Sequence, residues 1–462
     1  MLQIDALLKT VKRIHFIGIG GSGMCPLAEI LHKEGYLLSG SDNNETDTLK
    51  RIRSLGIPVA MGQRAENIEG AEMIVYTAAL LPDNPELVAA KASGIPTFER
   101  SKLLGAITRI YPNSICICGT HGKTTSCSML TQILIEADFD PTAVIGGKLP
   151  LTGSNGMVGH SEHMVCEACE FVNTFLDLSP DVAVVLNVDE DHLDFFKTFD
   201  NLKKSFTKFA SMATKTIIYN ADDENTVECI LPALEASGKP GITFGTKEGC
   251  DYRAVNVSVE HEYASFDLEV NGENLGRIKL SVPGIHHVHN ALAVIASAMY
   301  SGVTFEQCVK GIADFRGAGR RFEILAEVDG ITIVDDYAHH PRELEVTLNT
   351  AMDMGYRKVW AIFQPFTYSR TSILFDEFVR VLKIPDHCIM TEIMGSREVN
   401  TYGIYTSQLA DKIPGSVWFN TFDEVADYAV ANAQKGDMII TLGCGDIYKA
   451  AKIIIEKLKE RQ

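Results

Sequence analysis

Residues 113–128 read NSICICGTHGKTTSCS. An apolar run, Ile115 to Cys118, opens into Gly119-Thr120-His121-Gly122-Lys123-Thr124-Thr125, and Met129, Leu130, Ile133 and Leu134 follow at helical spacing. The pattern is a strand, a glycine turn and a helix N-terminus. Backbone N–H groups on such a turn, with the positive end of the helix behind them, cradle phosphate oxygens. Lys123 adds a mobile cation over the terminal phosphates, and the Thr124 hydroxyl suits Mg²⁺. The usual phosphate loop carries a glycine five residues before Gly122, where this chain has Ile117. A nucleoside triphosphate site is expected on residues 119–125; the plainer alternative is a surface turn rich in Gly and Thr.

Toward the N-terminus the same grammar recurs. Arg13 to Ile19 reads as a strand, and Gly18-Ile19-Gly20-Gly21-Ser22-Gly23 leads into a helix marked by Met24, Leu27, Ile30 and Leu31. A second strand, Tyr36 to Gly40, ends at Ser41-Asp42. Glycines for a tight turn, followed about twenty residues on by an acid, form the dinucleotide fingerprint. What it selects physically is a diphosphate, so an NAD-dependent oxidoreductase and a UDP-sugar binder both fit. Strands at Met73 to Thr77 and Ile95 to Phe98, with helices from Pro85 to Ser93 and from Ser101, complete a parallel α/β unit near residue 110.

Beyond the Lys123 turn, a strand from Met164 to Ala168 delivers Glu167 and Glu170, and the apolar strand Val182 to Val188 ends in Asn187-Val-Asp-Glu-Asp191-His192. Strand C-terminal ends share the rim where ligands bind in open parallel sheets. Mg²⁺ held by a triphosphate needs oxygen ligands from outside the loop, so Glu167 and His192 are candidates; a solvated carboxylate and a hydrogen-bonded loop histidine are the alternatives. Residues 251–282 switch to period-two runs with an Asn271-Gly272 turn, which predicts an antiparallel insertion. After Pro283-Gly284 a helix carries Asn290 in its first turns, and His286, His287 and His289 are read as capping and packing groups because no spacing puts all three on one face. A third unit begins near Gly317. There Ile331 to Val334 runs into Asp335-Asp336-Tyr337-Ala338-His339-His340-Pro341, Val359 to Phe363 into Gln364-Pro-Phe-Thr-Tyr-Ser-Arg370, and Met438 to Leu442 into Gly443-Cys-Gly445-Asp446.

The length of 462 residues requires two to four domains. A formal net charge of -18 argues against nucleic acid or an anionic membrane as the main partner. Eleven cysteines, an odd number, fit reduced thiols better than a disulfide framework. Cys116, Cys118, Cys166 and Cys169 make a poor zinc set, since the first pair lies in an expected buried strand. Lys9, Lys12 and Arg13 stand where a signal peptide would be apolar, and a cytoplasmic location is expected.

The order of motifs resembles the Mur ligases. The residues that carry the resemblance are HFIGIGGSGM with GSD at 40–42, GTHGKTT at 119–125, EACE at 167–170, NVDEDH at 187–192, PGIHHVHNALA from 283, GAGRRFE from 317, DDYAHHP at 335–341 and FQPFTYSRT at 363–371. They span nearly the whole chain, and the family's phosphate loop also lacks the early glycine. The resemblance implies an α/β protein of three domains: an N-terminal Rossmann-like domain for a UDP-sugar at 1–110, a central P-loop-type ATPase with a mostly parallel sheet and an antiparallel insertion at 111–316, and a C-terminal Rossmann-like domain for the amino acid at 317–462. It implies an ATP-dependent amide ligase using Mg²⁺, nearest the branch that joins L-alanine to UDP-N-acetylmuramate in peptidoglycan precursor synthesis, acting as a monomer or homodimer. Carried over by position, Gly119, Thr120, His121, Gly122, Lys123, Thr124 and Thr125 hold ATP phosphates. Thr124, Glu167 and His192 serve the metal, Asn290, Arg321 and Asp336 lie on the nucleotide, and Lys123, Glu167 and His192 are the catalytic set. Gly18, Gly20, Gly21, Ser22, Gly23 and Asp42 take the UDP-sugar; His339, His340 and Arg370 meet amino-acid and sugar-acid groups. The family commonly has His-Arg where this chain has Phe366-Thr367, which removes a cation from the expected amino-acid carboxylate site. A ligase that recycles a whole tripeptide onto the same UDP-sugar, and a nucleotide-sugar sensor without catalysis, are the alternatives.

Overall fold

The computed structural model describes residues 3–396 and 398–461. The chain divides into two compact units. One runs through Ser258 and adds Ala264–Val282 and His286–Ala318; the other comprises Val259–Tyr263, Pro283–Ile285 and the chain from Gly319 on.

The first unit holds two sheets. Strands β1 (Arg13–Ile17), β2 (Leu37–Asp42), β3 (Val59–Met61), β4 (Met73–Tyr76) and β5 (Thr97–Glu99) form an all-parallel sheet in the order β3-β2-β1-β4-β5. Parallel strands are covered on both faces and so read as continuous apolar runs. Ile14 and Phe16 point into one core and Ile17 into a second with Ile74 and Ala90. The strand order reverses direction at β1, so the loop after Ile17 opens at a topological switch point.

The second sheet has ten strands: β6 (Asn113–Cys118), β7 (Thr142–Leu149), β8 (Ser154–Met157), β9 (His163–Glu167), β10 (Val182–Val185), β11 (Thr216–Asn220), β12 (Gly241–Gly245), β13 (Tyr252–Glu260), β14 (Tyr263–Val270) and β15 (Glu273–Pro283). Their order is β15-β14-β13-β12-β11-β10-β6-β9-β7-β8. β6 lies between β10 and β9, parallel to both, which makes the turn after Cys118 a second switch point. Alternation along β6 divides its side chains: Cys116 and Cys118 enter the core shared with the first sheet, and Ile115 and Ile117 enter the core under the helix Lys123–Glu136. The expected antiparallel insertion is present as strands β13 to β15, which extend this sheet. Its two-residue turns, His261-Glu262 and Asn271-Gly272, have positive φ at both positions, the geometry that matches strand twist in tight hairpins. All eleven cysteines are free, and among the described residues no helix is long and apolar enough to cross a membrane.

In the second unit, β16 (Glu323–Val328), β17 (Ile331–Asp336), β18 (Val359–Phe363), β19 (His387–Thr391), β20 (Val417–Phe419) and β21 (Met438–Leu442) form a sheet in the order β16-β17-β21-β18-β19-β20. Only β16 runs antiparallel, joined to β17 by the Asp329-Gly330 turn. Asp336 and Phe363 both pair with Leu442 across parallel ladders, so the loops after β17, β18 and β21 leave one rim together.

Several elements escaped the sequence pattern. The helices Gln3–Leu8 and Asp47–Ser54, the three-residue β3 and the β7–β8 pair were not expected. β3 is too short to show a period, and β7 contains Gly146-Gly147, which weaken a strand signal. The strands at 13–19 and 182–188 end two or three residues early, at Ile17 and Val185. Gly18 and Ile19 instead donate to the Ser41 carbonyl, which turns the chain out of the ladder.

Candidate active site

The turn Gly119–Lys123 is built on two glycines whose surroundings leave no room for a side chain. Gly122 is left-handed, at φ 83°, and N-caps the helix Lys123–Glu136 with no side-chain cap, leaving first-turn N–H groups open. A Cβ on Gly122 would lie 2.6 Å from Asn290 Oδ1, and one on Gly119, at φ 148°, would lie 2.9 Å from Leu186 Cβ. The Asn187-Val-Asp segment braces the turn. Asn187 accepts from His121 N at 2.8 Å and donates from Nδ2 to His121 O at 3.1 Å. Thr120 N donates to Asn187 O, while the Thr120 hydroxyl donates to Asp189 O and accepts from Asp189 N.

Lys123 is folded over this turn. Its Nζ donates to Gly119 O at 2.6 Å and Thr120 O at 3.1 Å, and meets the buried Glu170 carboxylate at 3.0 and 2.9 Å. Burial alone would depress the ammonium. The carboxylate of Glu170, then Cys169 and Glu167, outweigh it and hold the Lys123 pKa above its ordinary value, so a permanent cation sits where phosphate charge would arrive. Burial, followed by Glu170, lifts the intervening Cys169 thiol to about 11, which keeps it neutral. The Thr124 hydroxyl donates to Glu167 at 3.0 and 3.1 Å, and Gly146 N donates to Glu167 Oε2 at 2.7 Å.

His192 does not join Glu167. Left-handed at φ 53°, it caps the short helix Leu193–Phe196, with its ring against Phe171 at 4.8 Å and Nε2 3.8 Å from Glu170 Oε1. Glu170 is therefore the carboxylate that links Lys123 to His192, and sequence reasoning left it out of the site; its position three residues beyond Glu167 was the available signal. Among the described residues no group of three His, Cys, Asp or Glu side chains converges as a metal cage. A hard cation such as Mg²⁺ fits the pair that is present, a hydroxyl and a carboxylate, because a nucleotide supplies further oxygens and water the rest.

Asn290 lies under Gly122, and its Nδ2 donates to His287 Nδ1 at 3.1 Å. His289 Nε2 meets Asp222 at 2.8 Å, and His286 N-caps the helix His287–Tyr300 without a side-chain bond. Of the capping and packing roles expected for the three histidines, His286 takes the N-cap position through its backbone; it is exposed, and His287 and His289 are half-buried, so none is a core residue.

The glycine turn of the first sheet is held by backbone bonds and by one carboxylate. Asp42 Oδ2 accepts from Gly20 N at 2.9 Å, and its Oδ1 accepts from Asn44 N at 3.0 Å. Gly21 N returns to Gly18 O, and Gly21 and Ser22 are exposed. The helix Cys25–Lys33 follows with no side-chain cap. Arg100 was not anticipated. Its guanidinium lies beside Gly23, 3.1 Å from where a Cβ would stand, and no sequence spacing connects the two.

In the second unit, Asp336 is buried and accepts from Phe322 N at 2.7 Å and Ala338 N at 2.8 Å. Burial lifts its pKa to about 6 against the pull of Arg321. Arg321 lies over the Tyr337 ring at 5.0 Å. Arg320, not anticipated as a site residue, ties this rim together through Asp335 at 2.7 Å and the carbonyls of Gly443 and Gly445. His339 Nδ1 faces Tyr337 O at 3.0 Å; burial and Arg370 hold its pKa low against Glu343. His340 caps the helix Pro341–Asp353 through Arg342 N. Phe366 bridges to Met394 and turns its ring edge to His339 at 6.4 Å, and Thr367, at φ 65°, caps the helix Tyr368–Ile373 that carries Arg370.

Two anion turns at switch points, one with a lysine–glutamate pair, belong to a nucleotide-using α/β enzyme. The Mur ligase family, catalytic domain matches residues 13–111, the Mur ligase middle domain residues 117–298, and the Mur ligase, glutamate ligase domain residues 320–445; the chain belongs to the Mur ligase family. The chain is 40% identical to a UDP-N-acetylmuramate–L-alanine ligase of Caldanaerobacter subterraneus over 99% of this chain and 100% of the relative. It is 41% identical to a ligase of the same name from Acetivibrio thermocellus over 98% and 96%. The crystal structure of the UDP-N-acetylmuramate-alanine ligase of Thermotoga maritima superposes with a TM-score of 0.83 at 27% identity, over 97% of this chain and 100% of that one. A murein peptide ligase from Psychrobacter arcticus shares the fold, at 23% identity and a TM-score of 0.75 over 97% and 99%.

Proposed function

We propose that this chain is an ATP-dependent ligase that joins L-alanine to the carboxylate of UDP-N-acetylmuramate, releasing ADP and phosphate. The observation that supports it most is similarity at 40–41% over nearly the full length to ligases of that name. In this reading residues 1–110 hold the UDP-sugar, 111–316 ATP and 317–462 the amino acid.

The diphosphate of the UDP-sugar lies on the turn Gly18–Gly23, against the N–H groups of Ser22 and Gly23 at the start of the helix Cys25–Lys33, while those of Gly20 and Gly21 hold the turn's own shape. ATP phosphates lie on Gly119 to Thr125. The sugar carboxylate attacks the γ-phosphorus, ADP leaves, and an acyl phosphate forms; the amine of the amino acid then attacks the acyl carbon and phosphate departs. Phosphoryl transfer needs positioning and charge neutralisation more than covalent help. Lys123 exchanges its contacts with Gly119 O and Thr120 O for phosphate oxygens while Glu170 keeps it aimed. Thr124 and Glu167 would hold Mg²⁺, which would supply neutralisation of the charge spreading over the transferred group. Glu170 positions Lys123 and His192. In the second unit Arg370 takes the amino-acid carboxylate. His339, kept neutral by burial and with Nδ1 on a carbonyl, offers Nε2 as acceptor for the amine proton.

The test is ADP release with ATP and UDP-N-acetylmuramate fixed and the amino acid varied. Turnover with L-alanine well above glycine and serine, and none without the UDP-sugar, is expected. Faster turnover with the tripeptide L-Ala-γ-D-Glu-meso-diaminopimelate would move the reading to a recycling ligase, and ATP binding without turnover would make the chain a sensor.

A further inference from the structure

The core of the first unit holds a histidine and a glutamate that neither anion turn uses. His15 on β1 and Glu86 on the helix Pro85–Ala92 are 1% and 0% exposed, with Nε2 and Oε1 2.6 Å apart. His15 Nδ1 faces the Ser39 hydroxyl at 2.8 Å, and Asn67 Nδ2 donates to the second Glu86 oxygen at 3.1 Å. Well-packed apolar side chains of similar volume are often as stable as such a buried pair, so stability alone does not account for it. The bonds leading out of it do.

Asn67 Nδ2 also donates to Gly62 O at 3.0 Å, Gly62 N donates to Asp42 O at 2.9 Å, and the Asp42 carboxylate holds Gly20 N. A continuous chain of hydrogen bonds therefore runs from the core pair to the turn Gly18–Gly23. Gln63 is clamped along the way. Asn43 Oδ1 accepts from Gln63 N at 3.2 Å, which leaves Asn43 Nδ2 as the donor to Gln63 Oε1 at 3.0 Å. Asn84 Oδ1 accepts from Glu86 N and Leu87 N as the helix N-cap, which leaves Asn84 Nδ2 as the donor to the same Oε1 at 2.6 Å. With two donors on its oxygen, the Gln63 amide stands only one way round. Its Nε2 faces Gly18, 4.0 Å from where a Cβ would stand, and donates to no group among the described residues.

We propose that Gln63 Nε2 donates to an oxygen of the nucleotide held on the turn Gly18–Gly23, and that His15, Glu86, Asn67 and Asn84 are positioning residues that set the place and direction of that donor. The inference rests on the UDP-sugar reading of this turn. In a dinucleotide fingerprint the acid after the second strand accepts from ribose hydroxyls. Here the Asp42 carboxylate is occupied by Gly20 N and Asn44 N, and the free polar group beside Gly18 is an amide nitrogen from the loop after β3. A donor selects acceptor oxygens, which a uracil carbonyl and a diphosphate both offer.

The experiment is calorimetric titration of the full-length chain with UDP-N-acetylmuramate, with an ATP titration and thermal melting alongside. Wild type without affinity for the sugar would refute the reading of the turn itself. With wild type binding, Gln63→Leu should raise the Kd for the sugar about 10-fold and leave the Kd for ATP within about two-fold. Asn84→Asp keeps the helix cap but turns a carboxylate oxygen toward Gln63 Oε1, so the amide flips and its nitrogen leaves the turn. The same loss is expected, and it should vanish in the Gln63→Leu background. The combination of His15→Leu with Glu86→Met fills the core with apolar side chains; it should still melt cooperatively yet bind the sugar several-fold more weakly, again only while Gln63 is present. A Kd unchanged by both Gln63→Leu and Asn84→Asp, or losses that add in their double variant, would overturn the proposal. UDP and CDP, titrated into wild type and Gln63→Leu, identify the acceptor: a loss confined to UDP puts the donor on the base carbonyl that cytosine lacks, and an equal loss puts it on the diphosphate.

Discussion

The two anion turns of the first unit solve one problem in opposite ways. The turn Gly18–Gly23 contains no cation among its own residues, Arg100 reaching it from a distant segment; its shape comes from backbone bonds to Ser41 and from Asp42, whose carboxylate is occupied by the N–H groups of Gly20 and Asn44. The turn Gly119–Lys123 has a half-buried lysine opposed by a buried glutamate. A helix terminus carries about half an elementary charge and suffices to hold a diphosphate that does not react. A γ-phosphoryl group in transfer spreads new charge over its oxygens, and a full, fixed cation stabilises it where water is excluded. The glutamate is the consequence: a lysine buried without it would lose its proton. In the proposed reading the first turn is a holder, and the second is a holder with a charge reserve.

The largest effect should come from breaking that reserve. Lys123→Ala is expected to lower ADP formation about 1,000-fold and to leave UDP-N-acetylmuramate affinity by calorimetry within a factor of about two. It also leaves Glu170 buried without its partner, at a cost of about 3 kcal/mol, so retained sugar binding is the control for folding. Equal loss at both sites would dissolve the distinction between the turns. Next comes Glu167→Gln, which keeps one acceptor oxygen for Thr124 and Gly146, replaces the other with an NH2 donor and removes the charge; turnover should fall about 100-fold and half-saturation by Mg²⁺ should move to higher concentration. An unchanged Mg²⁺ titration would remove Glu167 from the metal site.

Gly18→Ala probes the holder. Gly18 has φ 81°, and a Cβ there would lie 2.7 Å from Thr77 Cγ2, so the turn must shift. The UDP-sugar KM should rise about 10-fold, the worth of one misplaced hydrogen bond, with the ATP KM unchanged; a rise in both would mean that the two turns are not independent. The smallest effect concerns a carboxylate without a cation held as close as Lys123 is to Glu170. Asp336, buried and lifted to about 6, keeps its proton longer in the folded chain than in the unfolded one, where an aspartate titrates near 4. Its contribution to stability therefore falls as pH rises from about 4 to about 6 and stays reduced above. Asp336→Asn carries no such term, so its urea midpoint relative to wild type should be higher at pH 7 than at pH 4. A mutant midpoint that falls relative to wild type from pH 4 to pH 7 would contradict the sign.

Much of the site was legible because its residues are contiguous. Strand, glycine turn and helix follow one another within residues 113–136, and the fixed geometry of a switch point does the rest. What sequence reasoning missed is contact between segments far apart in the chain. Arg100 beside Gly23 and Arg320 on the Gly443–Gly445 carbonyls have no local signature. Glu170 was visible as a residue but not as a partner, since the bend after β9 decides which of two nearby carboxylates meets Lys123. His192 was read as a companion of Glu167, and the left-handed backbone at that position sends it to Glu170.

By itself, the sequence determined the periodicities and glycine positions from which three sheets and two anion turns follow, because hydrophobic spacing and allowed φ are local properties. The tertiary structure alone decided the pairing of charges: Lys123 with Glu170, Thr124 with Glu167, Arg320 with Asp335. Electrostatic energy in a buried site depends on separations of a few ångströms between groups from different strands, and chain order does not encode those distances.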